Sequence, residues 1–347
     1  MTNNNSEHEA EQEELQDIIN ALGIVEIDPN RNYWLIRTQA GDYFEEFFFD
    51  EFVAIGWDEI SDIELLKTND VEKIKELVVK KYPDEARPGY AASLIVKFTN
   101  EMKKGDIVII PSKGSRHVTF GVLKEDEIYL EESTESQGLE DIEELEIKCP
   151  FVKRRKVKWL KHISREKLDL YIHKLLNAHN TIVNANDYAP YIDRSLYRLY
   201  KKGGSIHIVF EVKQDSKISA VNIMEFLNHI LSTVDVFNSV TGSNFKKEDL
   251  DLRINVQSPG PAEFIGMAAG VGLVVSAVSI FLFGGGLEFE ANKEKLKAGV
   301  KTEGLLGRIL QFRKQTYDHE KNTEIAKLKA GIDESRTKLQ VAPPNEE

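Results

Sequence analysis

Glu211 and Lys213, two residues apart in IHIVFEVK, come nearest in this chain to a hydrolytic pair. A strand puts both on one face, and a Mg²⁺-holding carboxylate beside a lysine near the attacking water is the E-x-K half of a PD-(D/E)xK nuclease site. The other half is an upstream Asp on a neighbouring strand. Asp193 is the near candidate, and it falls in YIDRSLYRLY, which has helical spacing. Strand alternation alone also yields E-x-K, and exposed strand residues account for the pair more simply. No other catalytic set is visible. The eight histidines include no H-x-x-x-H pair with supporting ligands, and there is no G-x-x-x-x-G-K-[ST] loop and no G-x-S-x-G elbow. The single cysteine, Cys149, excludes an internal disulfide and a cysteine-based zinc site and fits a reducing compartment. The expectation is a chain with no cofactor, no metal and no enzymatic activity.

A second signal concerns packing. Ile265 to Leu287 is a run of 23 residues without Asp, Glu, Lys, Arg or His. At 1.5 Å per residue, about 20 apolar residues cross a bilayer core of ~30 Å. The run therefore predicts a transmembrane helix over 264–287, with a buried helix, or a helix followed by a buried strand, as the alternative. Gly266 and Gly270 form a G-x-x-x-G pair, whose small residues let two helices approach closely in lipid. This predicts self-association through the span, with membrane lipid as a partner.

A net charge of −13 makes the chain a poor general coat for nucleic acid, so any such contact must be local. The acidic start MTNNNSEHEAEQEELQD has neither the basic nor the apolar region of a cleavable signal peptide. Lys246, Lys247 and Arg253 before the run roughly balance Lys293, Lys295, Lys297 and Lys301 after it, so flanking charge leaves the orientation open. The resulting expectation is a single-pass inner-membrane protein with its N-terminal part in the cytoplasm.

The elements that must position these residues follow from periodicity and turn signals. Residues 1–30 read as an acidic tail with a short helix near Glu14 to Leu22. Strands are predicted at Tyr33 to Arg37, Phe52 to Trp57, Gly105 to Ile110, Val118 to Leu123 and Lys153 to Trp159, with helices over 70–82 and from Tyr90 to Glu101. The two central strands should pair antiparallel across PSKGSRH. Residues 166–203 read as a helical connector. A β-α-β unit follows at 204–258, with strands Ile206 to Lys213 and Leu252 to Gln257 around the helix Ala220 to Val240. Pro259 and Pro261 should stop the strand and start the apolar helix. Residues 290–340 read as a charged helical tail with an apolar stripe at Leu305, Leu306, Ile309, Leu310 and Phe312, and VAPPNEE as disordered.

The blocks YWLIRTQAGDYFEEF, VAIGW, GDIVIIPSKGSRHVTFGVLKEDEIY and KRRKVKWL, in that order, resemble the N-terminal domain of Mrr-type restriction endonucleases, a domain similar to the PUA and EVE folds. The resemblance covers a little under half of the chain. It implies an α+β fold in which residues 31–165 form a small β-barrel with helices. Such a domain recognises a nucleotide or a modified nucleobase in a pocket with aromatic walls. By this resemblance Trp34, Arg37, Trp57, Ser112, Arg116 and Trp159 fall on the matching motifs as ligand-binding residues. Stacking on aromatic rings and edge recognition by a few polar groups suit a flat base. Trp at strand positions also suits a plain core, and the basic block Lys153 to Lys161 suits phosphate contact or a solvated strand. The combined expectation is a membrane-anchored sensor or effector of bacterial antiphage defence whose head binds a nucleotide or modified base. The alternatives are a metal-dependent nuclease and a membrane scaffold.

Overall fold

The structure, a computed structural model, describes residues 13–131, 149–214, 218–254, 260–266, 269–282, 304–317 and 322–342. The fold is mixed α+β. Contacts divide the chain into two units, Asn30–Leu196 and Met1–Pro29 with Tyr197–Glu347.

The unit Asn30–Leu196 is built on an open seven-stranded sheet. Its order is Phe52–Ile55, Lys153–Ser164, His117–Leu123, Ile107–Pro111, Tyr33–Ile36 and Ile182–Asn184, with Tyr129–Leu130 also paired to Lys153–Ser164. Tyr33–Ile36 runs parallel to Ile107–Pro111, and the other pairings are antiparallel, including the expected one across PSKGSRH. YWLI and IVII lack strand alternation because both sheet faces are covered. The helices Val71–Lys81 and Pro88–Val96 bring Ile74, Val78, Leu94 and Ile95 into one core with Trp34, Ile36, Val108 and Ile110. The helices Leu170–Leu175 and Ala189–Leu196 bring Ile172, Leu175 and Ile192 into another with Tyr33, Leu35, Ile107 and Ile109. The stretch expected as a connector over 166–203 thus supplies two helices and a strand to this unit and the strand Leu199–Lys202 to the other.

Two buried cations brace this unit. A π-helical turn, Lys97–Glu101, ends the helix Pro88–Val96. The guanidinium of Arg155, fully buried, donates to the carbonyls of Phe98 (2.6 Å), Thr99 (3.0 Å), Asp126 (3.0 Å) and Glu125 (3.2 Å). Burial pulls its pKa down to about 10, so it stays charged at neutral pH. Lys153, two residues away on the same strand face, is also fully buried.

The second unit has a six-stranded sheet in the order Val25–Ile27, Leu199–Lys202, Ser205–Val212, Gly260–Gly266 and Leu250–Ile254, with Val341–Ala342 also paired to Ser205–Val212. Residues 13–27, within the expected tail, form a helix over 13–21 and a strand, with Ile18, Ile19, Leu22 and Ile24 in the core. Helices Ala220–Thr241, Ala269–Leu282, Leu305–Tyr317 and Thr323–Leu339 enclose Ile206, Ile208, Phe210 and Val212 with them. Val341 and Ala342, expected as disordered, are a short strand, and the rest of that tail lies outside the described residues.

The membrane reading is corrected here. Among the described residues no helix is long and apolar enough to cross a membrane. The apolar run divides: Ile265 and Gly266 end the strand Gly260–Gly266, and the helix Ala269–Leu282 has 14 residues, roughly 21 Å at the α-helical rise. Residues 267–268 and 283–287 of the run lie outside the described residues. The helix needs no charge because protein surrounds it: Val271, Leu273, Val274, Val275, Ala277, Val278 and Ile280 are all buried. Pro261 starts no helix: it lies inside the strand Gly260–Gly266, while Pro259 lies outside the described residues. The packing assigned to Gly266 and Gly270 is internal to this unit. Gly266 pairs with Ile206 and Leu250, and a Cβ on Gly270 would stand 2.9 Å from the Phe245 ring. The expectations of a transmembrane helix, a lipid partner, association through a span and an inner-membrane location lose their basis with it.

Candidate ligand-binding site

An open cleft of about 790 Å³ lies in the unit Asn30–Leu196. Its volume falls in the range that takes small molecules and cofactors. Trp57, Gly56 and Phe151 form an aromatic wall. Two tight turns supply backbone, Gln39–Ala40 and Gly114–Ser115. The segment between the helix Leu170–Leu175 and the strand Ile182–Asn184 adds Leu176, Asn177, His179 and Thr181, and Arg37 stands beside it.

The backbone around the cleft is strained. Among the described residues, seven non-glycine residues have a left-handed φ. Four of them line this cleft: Gln39 (50°), Ala40 (56°), Trp57 (58°) and Ser115 (52°). Such conformations cost about 1–3 kcal/mol each and persist where surrounding structure enforces them. The enforcement is visible. The turn Gln39–Gly41 lies against the turn Lys113–Ser115 so closely that a Cβ on Gly41 (φ 101°) would collide with the Lys113 backbone. The buried Thr38 hydroxyl donates to the Pro111 carbonyl at 2.7 Å and ties the same two segments.

Arg37 continues the strand Tyr33–Ile36 and is half-buried. Its Nη2 donates to the carbonyls of Leu176 (2.6 Å) and Ala178, which close the helix Leu170–Leu175. Among the described residues its Nε and Nη1 have no protein partner, which leaves N–H donors for a ligand. Burial lowers its pKa. On the aromatic wall, Phe151 meets Tyr43 edge-on at 5.3 Å, and a Cβ on Gly56 would stand 3.3 Å from the Phe151 ring. Trp57 keeps one indole edge toward Glu85, at 3.4 Å from Nε1.

Of the six residues placed by resemblance, the cleft brings together Arg37 and Trp57. Ser112 and Arg116 flank the lining pair Gly114–Ser115. The Ser112 hydroxyl accepts from the His117 amide at 2.9 Å, and Arg116 is exposed, its carbonyl accepting from the Arg165 amide. Trp34 is 2% exposed and donates from Nε1 to Asp106 at 2.9 Å, a core position. Trp159 packs over Gly121, where a Cβ would stand 2.6 Å from its ring, and donates to the Phe47 carbonyl. Neither of those two tryptophans lines the cleft. Sequence patterning does not mark Phe151, Asn177, His179 or Thr181 as ligand-binding residues. The signal for the last three was the loss of helical spacing in NAHNT, inside a stretch read as helical.

Two of the hydrolytic candidates are engaged otherwise. Glu211 accepts from Arg198, while Asp193, buried in the other unit, accepts from Tyr33 and Arg31, each at 2.6 Å. Among the described residues no group of three or more His, Cys, Asp or Glu side chains could hold a metal ion.

Residues 33–184 match the model of a domain of unknown function (DUF8426). The match falls wholly within the unit that carries the cleft and spans all its lining residues. No curated protein and no solved structure matches the chain.

Proposed function

We propose that the cleft of residues 30–196 binds a nucleotide or a modified nucleobase, and that this unit is the sensing part of the chain. The observation that carries this reading is the gathering of four left-handed residues around one cleft with an aromatic wall and an arginine. Strain of that kind clusters at ligand sites because a binding surface there is held ready rather than relaxed. The chemistry suits a base. Trp57 and Phe151 offer flat apolar faces, Arg37 offers N–H donors to a base edge or a phosphate, and the exposed amides and carbonyls of the turns read polar edges. The resemblance to the PUA and EVE folds points the same way.

The test is a titration of the full chain with nucleosides and their 5′-phosphates, the common four together with 5-methylcytidine and N6-methyladenosine. Tryptophan emission and calorimetry serve as readouts. At least one should bind. Trp57→Ala should weaken it by about 1–3 kcal/mol, the worth of one aromatic stack, whereas Trp159→Phe should leave affinity unchanged. Equal affinity for wild type and Trp57→Ala would remove the base from this cleft.

A further inference from the structure

Lys153 is the one lysine among the described residues that is fully buried. It sits at the start of the strand Lys153–Ser164 between two apolar partners, Ile55 on one side and Leu130 on the other. Its Nζ donates to the carbonyl of Trp57 at 2.7 Å. The charged group that faces it is Asp58, 3.8 Å away and one-third exposed. Asp58 is itself fixed by the Val152 amide, which donates to it at 2.9 Å, and the Trp57 carbonyl accepts a second bond from the Ile60 amide at 3.0 Å. Two of these bonds converge on Trp57, whose backbone is left-handed (φ 58°), a conformation uncommon for a bulky side chain. Burying an ammonium is costly unless it is hydrogen-bonded and paired, and the groups that compensate this one are the Trp57 carbonyl and Asp58. The cation thus holds the carbonyl of the residue that walls the cleft.

We propose that Lys153 is the positioning residue of the cleft, its ammonium holding the Trp57 peptide so that the indole forms the ligand-facing wall. The ligand part of this proposal rests on the base-binding reading above; the Trp57 part does not. Burial pulls the Lys153 pKa down to about 8, so the hold on Trp57 loosens as pH rises through mildly alkaline values.

The experiment uses the full chain, with Lys153→Met, Asp58→Asn and Trp57→Phe. Methionine fills the same space without the charge, so Lys153→Met should fold; because Asp58 is one-third exposed to water and the Trp57 carbonyl keeps its bond from Ile60, its melting temperature should fall only modestly below that of wild type. The Trp57 emission, taken as wild type minus Trp57→Phe, should change with a midpoint near pH 8 in wild type. Asp58→Asn should lower that midpoint, and Lys153→Met should abolish the transition. The nucleoside that binds wild type most tightly should bind Lys153→Met about tenfold more weakly at pH 7, the loss expected for one charge-assisted hydrogen bond. A Trp57 signal unaltered by Lys153→Met, at every pH, would overturn the proposal. If no nucleoside binds wild type, the base-binding reading fails, and the Trp57 emission alone decides the role of Lys153.

Discussion

Gly41 supports the paired turns of the cleft and Lys153 its aromatic wall, and each predicts a different experiment. Gly41 combines a φ of 101° with a backbone neighbour where a Cβ would go. Gly41→Ala should destabilise the unit by more than about 2 kcal/mol, because no rotamer change relieves a backbone collision. A thermal melt measures this; a stability equal to wild type would mean that the two turns separate freely. Lys153 acts through linkage. Its folded pKa of about 8 lies below the ordinary lysine value of 10.5, so the unfolded chain binds more protons between those two values. Stability contributed by this group therefore rises with pH across that window and is at its lowest below pH 8. Relative to Lys153→Met, wild type should gain stability between pH 8 and 10.5, by at most about 3 kcal/mol. The comparison must be with the variant, because Tyr33, Tyr43, Tyr82 and Tyr129 have raised pKa values and oppose the trend.

The helix Ala269–Leu282 shows where sequence reasoning met its limit. Its lack of charge was legible, and its surroundings were not: lipid and a layer of packed helices present the same apolar face. A 14-residue helix beginning only after a strand was hidden because EFIG carries no charge-based boundary with MAAG. The steric test is Gly272, where a Cβ would stand 2.6 Å from the Ile206 Cβ. Gly272→Ala raises helix propensity by about 1 kcal/mol, so a net loss of about 1–3 kcal/mol would report overpacking against the sheet. A gain in stability would show that the helix face is free. IVII was legible as a buried strand, YWLI as a strand and His117–Leu123 as the hairpin partner, because length and turn residues mark them locally. Of the cleft, Trp57 and Arg37 were legible through their motifs. Phe151 and the 176–181 segment were not, because a cleft is assembled by pairings between distant strands. Arg155 was equally hidden: a basic strand reads as exposed until the π-helical turn supplies carbonyls for it. Arg155→Met should cost about 3–5 kcal/mol, since four carbonyls lose a charged donor. Urea denaturation of the unit measures that loss, and an unchanged midpoint would assign those carbonyls other partners.

On the scale of the whole molecule, one unit interrupts the other. The core that holds Phe210 and Ile206 also holds Ile18, Ile19, Leu22 and Ile24. Deleting residues 1–29 should remove roughly 6–12 kcal/mol of burial from that core, comparable to the whole stability of a domain. Calorimetry of the truncated chain should lose the transition of the discontinuous unit and keep that of residues 30–196, along with nucleoside binding. Retention of both transitions would show that the first segment only decorates the core.

The register Val25↔Tyr200 joins residues 175 positions apart. On a ribosome adding about 5–20 residues per second, Val25 waits roughly 9–35 s for its partner strand. The interrupting unit, whose own pairings all lie between, is complete before that moment. The apolar face of Ile18, Ile19 and Leu22 is therefore exposed throughout early synthesis, and the nascent chain passes through a stage in which the cleft exists while its host is still unmade.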